Sequence, residues 1–156
     1  MGYSCDMDGA YEIKRLSASD IREEDDVDRI SALLRVLSGP EAAAISESQL
    51  ALYCQHNHLV IARERTSGAL VGMATLFVHR GWRGLGGVVR DVAVDEIHRR
   101  KGIARALMEE IIRVAQKEGL RRVDLTSRDF RTEAHALYES LGFEKRQTNR
   151  FRLDLI

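Results

Sequence analysis

Apolar residues recur along this chain in two periods, and the switches between them outline the elements. After a first ten residues that read as a flexible polar tail, Tyr11 to Leu16 alternates, imperfectly, as a short strand. Val27, Ile30, Leu33, Leu34 and Leu37 then fall at helical spacing. They predict a helix capped by Asp20 and ended by Gly39-Pro40. A second helix is expected from about Ser46 to Gln55, with Leu50, Leu52 and Tyr53 facing inward. Leu59 to Ala62 is apolar and β-branched, Thr66-Ser67-Gly68 turns the chain, and Leu70 to Val78 runs back. The glycine-rich stretch from Gly81 to Gly87 reads as another turn, and Val88 to Val94 as a valine-rich strand.

The second half is more helical. Ile103, Leu107, Ile111 and Val114-Ala115 make one stripe of a helix from Ile103 to Lys117, with Gly119 as its stop. Val123 to Thr126 reads as a strand, and Arg131 to Leu141 as a helix closed by Gly142. Phe143 to Arg146 and Phe151 to Leu155 complete the pattern as two last strands. Strands and helices are mixed, with no repeat and no linker, so residues 11–156 are expected to form one α/β (α+β) domain behind a tail of residues 1–10.

Composition narrows the function classes. The 156 residues carry 24 Lys and Arg against 24 Asp and Glu, so no net field draws the chain to nucleic acid or to an anionic membrane. No apolar run approaches the roughly 18 residues of a membrane span, and the N-terminus has no basic start followed by an apolar stretch. The two cysteines, Cys5 and Cys54, are far apart and read as free thiols. A soluble, cytoplasmic protein with no nucleic-acid and no membrane partner is the expectation.

The most informative segment is Asp91 to Ala104. A valine-rich strand ends, Arg99-Arg100-Lys101 follows, and Gly102 opens the long helix with Ala104 two positions on. A helix N-terminus offers unpaired N–H groups and the positive end of its dipole. Small residues at 102 and 104 let an anion approach that backbone, and the three cations add charge at the rim. This is a site for a phosphate or pyrophosphate, the alternative being a solvated helix start. A Walker A loop is excluded, because no Lys-Ser or Lys-Thr follows the glycine.

Arg99-x-x-Gly102-x-Ala104 after Val92-Ala93-Val94 closely resembles the acetyl-CoA signature of the GNAT superfamily of N-acetyltransferases. Further on, Ala134-His135-Ala136-Leu137-Tyr138-Glu139-Ser140-Leu141-Gly142-Phe143 resembles that family's second signature. The detailed likeness covers residues 88–146. It implies a GNAT-like acyl-CoA N-acyltransferase fold, a mixed and mostly antiparallel sheet of about six or seven strands flanked by four helices. It also implies acetyl-CoA as cosubstrate, with no metal. Val92, Ala93 and Val94 would pair with the pantetheine arm, and Arg99, Arg100, Lys101, Gly102, Ile103 and Ala104 would hold the pyrophosphate. The strand bearing Val92 and the one starting at Val123 would splay apart to admit the cofactor.

The implied reaction is direct transfer of acetyl to a primary amine of a small molecule or peptide, without an acyl-enzyme. By resemblance Tyr138 is the candidate acid for the leaving thiolate, the alternative being a core aromatic. Asp91, one residue before Val92, is the candidate base. A carboxylate inside a valine strand needs a reason, the alternatives being an ion pair with Arg90 or Arg128 and proton relay through water. Where the family's second helix usually begins with Asn, this chain has Arg131, which can reach a phosphate or face solvent. His135 after Ala134 is similar to the Ala-His pair of small-amine members, or is an ordinary helix histidine.

Other clusters weigh less. Cys54, His56 and His58 alternate as they would on one strand face, but no further ligand is near to close a metal site. Glu23-Glu24-Asp25-Asp26 and Asp28 read as a solvated helix start or as a surface for a cationic amine. Two rival classes remain: an acyl-CoA-binding module that regulates without catalysing, and a nucleic-acid-binding domain, which the zero net charge disfavours. Homodimers are common in the family, and Phe151 to Leu155 is a candidate shared edge.

Overall fold

The computed structural model describes residues 5–7 and 9–156 of the chain, with the side chains of 5–7, Glu23 and Glu24 outside the description. The chain divides into two compact units, Met1–Thr126 and Ser127–Ile156. The first holds β1 (Cys5–Met7), β2 (Tyr11–Arg15), α1 (Glu23–Ser38), α2 (Glu47–His56), β3 (His58–Glu64), β4 (Leu70–Gly81), β5 (Gly84–Val94), α3 (Ile103–Lys117) and β6 (Val123–Leu125). The second holds α4 (Thr132–Ser140). Among the described residues no helix is long and apolar enough to cross a membrane.

The six strands lie in one sheet in sequence order. Neighbours from β1 to β5 are antiparallel, whereas β5 and β6 run parallel because α3 carries the chain back between them. Sequence alternation assigns the two faces. Met73 belongs to a cluster with Leu16, Ile30, Leu33, Leu50, Cys54, Leu59 and Ile61, so α1 and α2 cover that face. Its neighbour Gly72 faces the other way, toward α3. A Cβ on Gly72 would stand 3.2 Å from both Ile103 Cγ2 and Leu107 Cδ1, so the glycine lets α3 lie close on the sheet.

Several expectations are corrected. The segment read as tail contains β1, which pairs with β2 from Cys5↔Ile13 to Met7↔Tyr11; residues 1–4 and 8 lie outside the described residues. Asp20 does not cap α1. It closes a 3₁₀ turn, Ala18–Asp20, where it accepts a 2.6 Å hydrogen bond from the Ser17 hydroxyl. The helix starts after Arg22, whose backbone N–H donates to Asp26 Oδ2 at 2.8 Å. α2 has a full capping box on Ser46 and Gln49, but Leu52 is exposed and Cys54 takes its place inside. The Gly81–Gly87 turn shrinks to Trp82-Arg83, with Gly81 paired to Gly84 and the later glycines inside β5. No strand forms over 143–146 or 151–155, where apolar alternation finds no pairing partner among the described residues.

The acidic start of α1 also has a different use from the two expected. Asp26 is fully buried and takes a bidentate ion pair from Arg63 of β3, with contacts of 2.7 and 2.5 Å. Arg63 Nη1 also donates to the Gly68 carbonyl at 3.2 Å. Two buried charges are tolerable only when paired and hydrogen-bonded in this way, and the pair fixes α1 against the sheet. Asp25 and Asp28 remain exposed.

Candidate active site

The end of β5 and the start of α3 form one continuous feature. Pairing between β5 and β6 runs from Gly87↔Val123 to Val89↔Leu125 and stops there. Beyond Val89, β5 continues alongside β4, through Met73↔Ala93 and Gly72↔Val94. Its other edge therefore carries no strand among the described residues from Arg90 to Val94. Backbone polar groups on such an edge require partners from outside the sheet.

After Val94 the chain makes a 3₁₀ turn, Glu96–His98, anchored by the buried His98 ring. His98 meets the Tyr11 ring edge-on at 6.0 Å, and its Nε2 lies 3.5 Å from Glu64 Oε1. Arg99, Arg100, Lys101 and Gly102 follow, all exposed. Arg100 (φ 60) and Gly102 (φ 78) both take the left-handed conformation, which glycine adopts without strain. Gly102 is the N-cap of α3 and supplies no side-chain cap, so the first N–H groups of the helix stay open to an anion. Ile103 is buried in the core and Ala104 half-buried. Arg99 to Ala104, the residues expected to hold a phosphate, run from the end of the 3₁₀ turn into the first turn of α3.

Asp91 lies at a β-bulge. Thr75 pairs with Arg90 and Met73 with Ala93, so Ala74 alone opposes Asp91 and Val92. Asp91 takes φ 55, a conformation that Asp tolerates better than most residues. The extra residue turns Arg90 and Asp91, which an unbulged strand would send to opposite faces, toward the same face. Arg90 lies over the Phe77 ring at 6.0 Å, while Asp91 enters a pocket of about 170 Å³ between α1, α2 and the sheet. There the Tyr53 hydroxyl donates to Asp91 Oδ2 at 3.3 Å. Within the first unit Arg90, one of the arginines considered for an ion pair, does not hold Asp91 among the described residues, its guanidinium lying over Phe77.

Tyr53 is the member of this pair that sequence periodicity treated only as core. Burial pushes its hydroxyl up to about 12, against the pull of a hydrogen bond with Thr75 and with the Asp91 charge adding to the rise. It therefore stays a proton donor through the neutral range. Its ring meets Phe77 edge-on at 5.9 Å, which fixes the direction of the hydroxyl.

In the second unit, the spacing of the second signature has a local cause. Gly142 (φ 89) follows the C-cap of α4. The Phe143 N–H returns to the Tyr138 carbonyl at 3.0 Å and the Gly142 N–H to Glu139 at 3.0 Å. This is a Schellman motif, which brings the residue after the glycine onto the one five positions earlier. The Tyr138 and Phe143 rings accordingly meet at 6.1 Å. Tyr138 is half-buried; burial raises its hydroxyl above the ordinary value and the Arg131 charge opposes the rise. Arg131 is the half-buried N-cap of α4 and offers no side-chain cap.

Cys54 and His56 close α2 and His58 opens β3, so the single strand face proposed for them does not exist. Cys54 is buried in the core as a free thiol, raised to about 11 by burial.

A family model for the GNAT acetyltransferases matches residues 23–143. Among curated proteins, human N-acetyltransferase 8 is 42% identical over 52 residues, which is 33% of this chain and 23% of that protein. The Escherichia coli [ribosomal protein bS18]-alanine N-acetyltransferase is 42% identical over 55 residues, 35% of this chain and 37% of that protein. The matched stretches thus span well under half of either relative. An aminoglycoside acetyltransferase from an uncultured soil metagenomic sample superposes with a TM-score of 0.82 over 97% of this chain and all of its own, at 18% identity. The fold is therefore that of the acyl-CoA N-acyltransferases, and the chain belongs to the GNAT acetyltransferase family.

Proposed function

We propose that this chain is an N-acetyltransferase that moves the acetyl group of acetyl-CoA directly to a primary amine of a small molecule or peptide. The observation that carries the reading is the course of β5. That one strand presents Asp91 to a pocket at its bulge, keeps a backbone edge open beyond Val89, and then delivers the chain to the uncapped N-terminus of α3. The relatives' names give two amine acceptors, an alanine of a ribosomal protein and aminoglycosides.

The residues present fit the cosubstrate. The α3 N-terminus with Arg99, Arg100, Lys101 and Gly102 suits a pyrophosphate, and the open edge at Val92, Ala93 and Val94 suits amide groups. By resemblance Arg131, the N-cap of α4 in the second unit, is a further candidate for the phosphates. Acetyl-CoA supplies an activated thioester when bound. Asp91 accepts the proton of the attacking amine, which as a free ammonium (pKa roughly 10) has no lone pair for attack. A backbone N–H near Val92 or Ala93 stabilises the negative oxygen that develops. Tyr138, neutral in this range, gives its proton to the departing sulfur. The C–N bond forms first and the C–S bond then breaks; the first proton of the amine leaves through Asp91 to solvent, and the second, lost from nitrogen as the amide forms, replaces the one Tyr138 gave to sulfur.

The test is amine-dependent release of CoA, with the acetylated amine identified by mass. An enzyme with this mechanism loses turnover on Tyr138→Phe while still binding acetyl-CoA; a purely regulatory acyl-CoA module shows no turnover to lose.

A further inference from the structure

We infer that the acceptor is a primary amine bearing a compact apolar substituent, seated in the pocket of the first unit with its amino group on Asp91. This rests on the reading of Asp91 as the group that meets the acceptor amine.

The pocket wall is apolar. Ile30 and Leu34 come from α1, Ile45 from the connection after it, Leu50 from α2, Leu59 from β3 and Met73 from β4. Its polar groups are few and mostly spoken for. Tyr53 donates to Asp91 Oδ2, Gln49 accepts the Ser46 N–H on its Oε1 at 2.8 Å, and Thr75 is 1% exposed. Asp91 Oδ1 receives no hydrogen bond among the described residues, and it is the acceptor left for an ammonium group.

What the lining lacks excludes other amines. Among the described residues no cationic side chain lines the pocket, so an amine carrying phosphate or carboxylate has no counter-charge there. Among the same residues no second carboxylate lines it beside Asp91, so a diamine would strand its other ammonium against leucine and isoleucine. A sugar ring would bury several hydroxyls with only the Gln49 amide beside Asp91 to meet them, and each one left without a partner costs about fivefold or more in affinity. The volume, about 170 Å³, is close to the roughly 150 Å³ of an apolar cavity that takes up benzene. A phenyl group or a short branched alkyl chain fits, and each buried methylene adds roughly fourfold.

That chemistry can arrive as a free amine or as the first residue of a peptide, and the experiment separates the two. Isoamylamine, 2-phenylethylamine and leucyl-glycinamide are titrated by calorimetry into the full chain, with and without saturating CoA, beside glucosamine and 1,4-diaminobutane. Using CoA rather than acetyl-CoA removes turnover, so binding is read apart from catalysis. At least one apolar amine is expected to bind about tenfold or more tighter than glucosamine and the diamine. Leu34→Trp, and separately Ile45→Trp outside the helices, should each remove about tenfold of that affinity; circular dichroism identifies the folded variants.

Binding of glucosamine or the diamine as tightly as the apolar amines overturns the inference. So does unchanged apolar-amine affinity in a folded variant, or no amine binding at all. If the apolar amines bind in the expected order but are never acetylated, the pocket assignment stands and the acetyltransferase reading falls.

Discussion

The Tyr53 hydroxyl donates to the Asp91 carboxylate across 3.3 Å, tying the end of α2 to the bulge of β5. The contact unites two residues 38 positions apart and holds the carboxylate at the pocket instead of out in solvent. Because burial pushes the Tyr53 hydroxyl up to about 12, the folded state holds this proton more tightly than the unfolded chain, where tyrosine titrates near 10. Stability from this source is complete below pH 10 and is lost as pH rises toward about 12. Urea midpoints measured across that window should fall more steeply for the parent chain than for Tyr53→Phe.

Asp91→Asn preserves the size of the side chain and the left-handed backbone, since Asn tolerates that conformation. Turnover is expected to fall by about 10²- to 10⁴-fold, with acetyl-CoA affinity unchanged, as measured by CoA release and by calorimetry. Full turnover in this variant would assign the base to a water relay.

Tyr138→Phe retains the ring that packs on Phe143, so unfolding free energy should change by less than about 0.5 kcal/mol. Turnover should fall while binding persists. Gly142→Ala is the complementary change: it places a Cβ at φ 89 and should cost about 1–2 kcal/mol by breaking the cap that positions Tyr138.

Asp26 and Arg63 are almost wholly buried and bonded through both carboxylate oxygens. Removing one partner leaves the other charge stranded. Asp26→Ala should therefore destabilise the chain by about 3–5 kcal/mol in urea unfolding, far more than Asp28→Ala at an exposed position of the same helix.

The loop from Arg99 to Ala104 and the helix after it were legible as one feature because their chemistry is contiguous. Cations, glycine and helix start follow one another, and α3 begins and ends where the apolar stripe indicated. The pocket was not legible, because Ile30, Ile45, Tyr53, Met73 and Asp91 come together only through the sheet. Glycine misled for a physical reason. Gly86 and Gly87 resemble turn residues, yet they lie in β5 where a Cβ would meet the His79 ring at 2.7 Å and Leu76 at 2.7 Å. Likewise the acid at position 26 looked like helix-start charge, since its partner Arg63 is 37 residues away. Alternation at Phe151, Leu153 and Leu155 predicted a strand, but a strand also needs a neighbour to pair with, and these residues are exposed.

The most direct test is calorimetric titration of the purified chain with acetyl-CoA, with NADH and ATP as controls. Selective one-to-one binding of acetyl-CoA is expected, weakened about 5- to 30-fold in Gly102→Val, where a branched side chain must adopt φ 78. Absence of acetyl-CoA binding by folded protein, or equal binding of all three ligands, would contradict it and reduce Arg99 to Ala104 to a basic helix start.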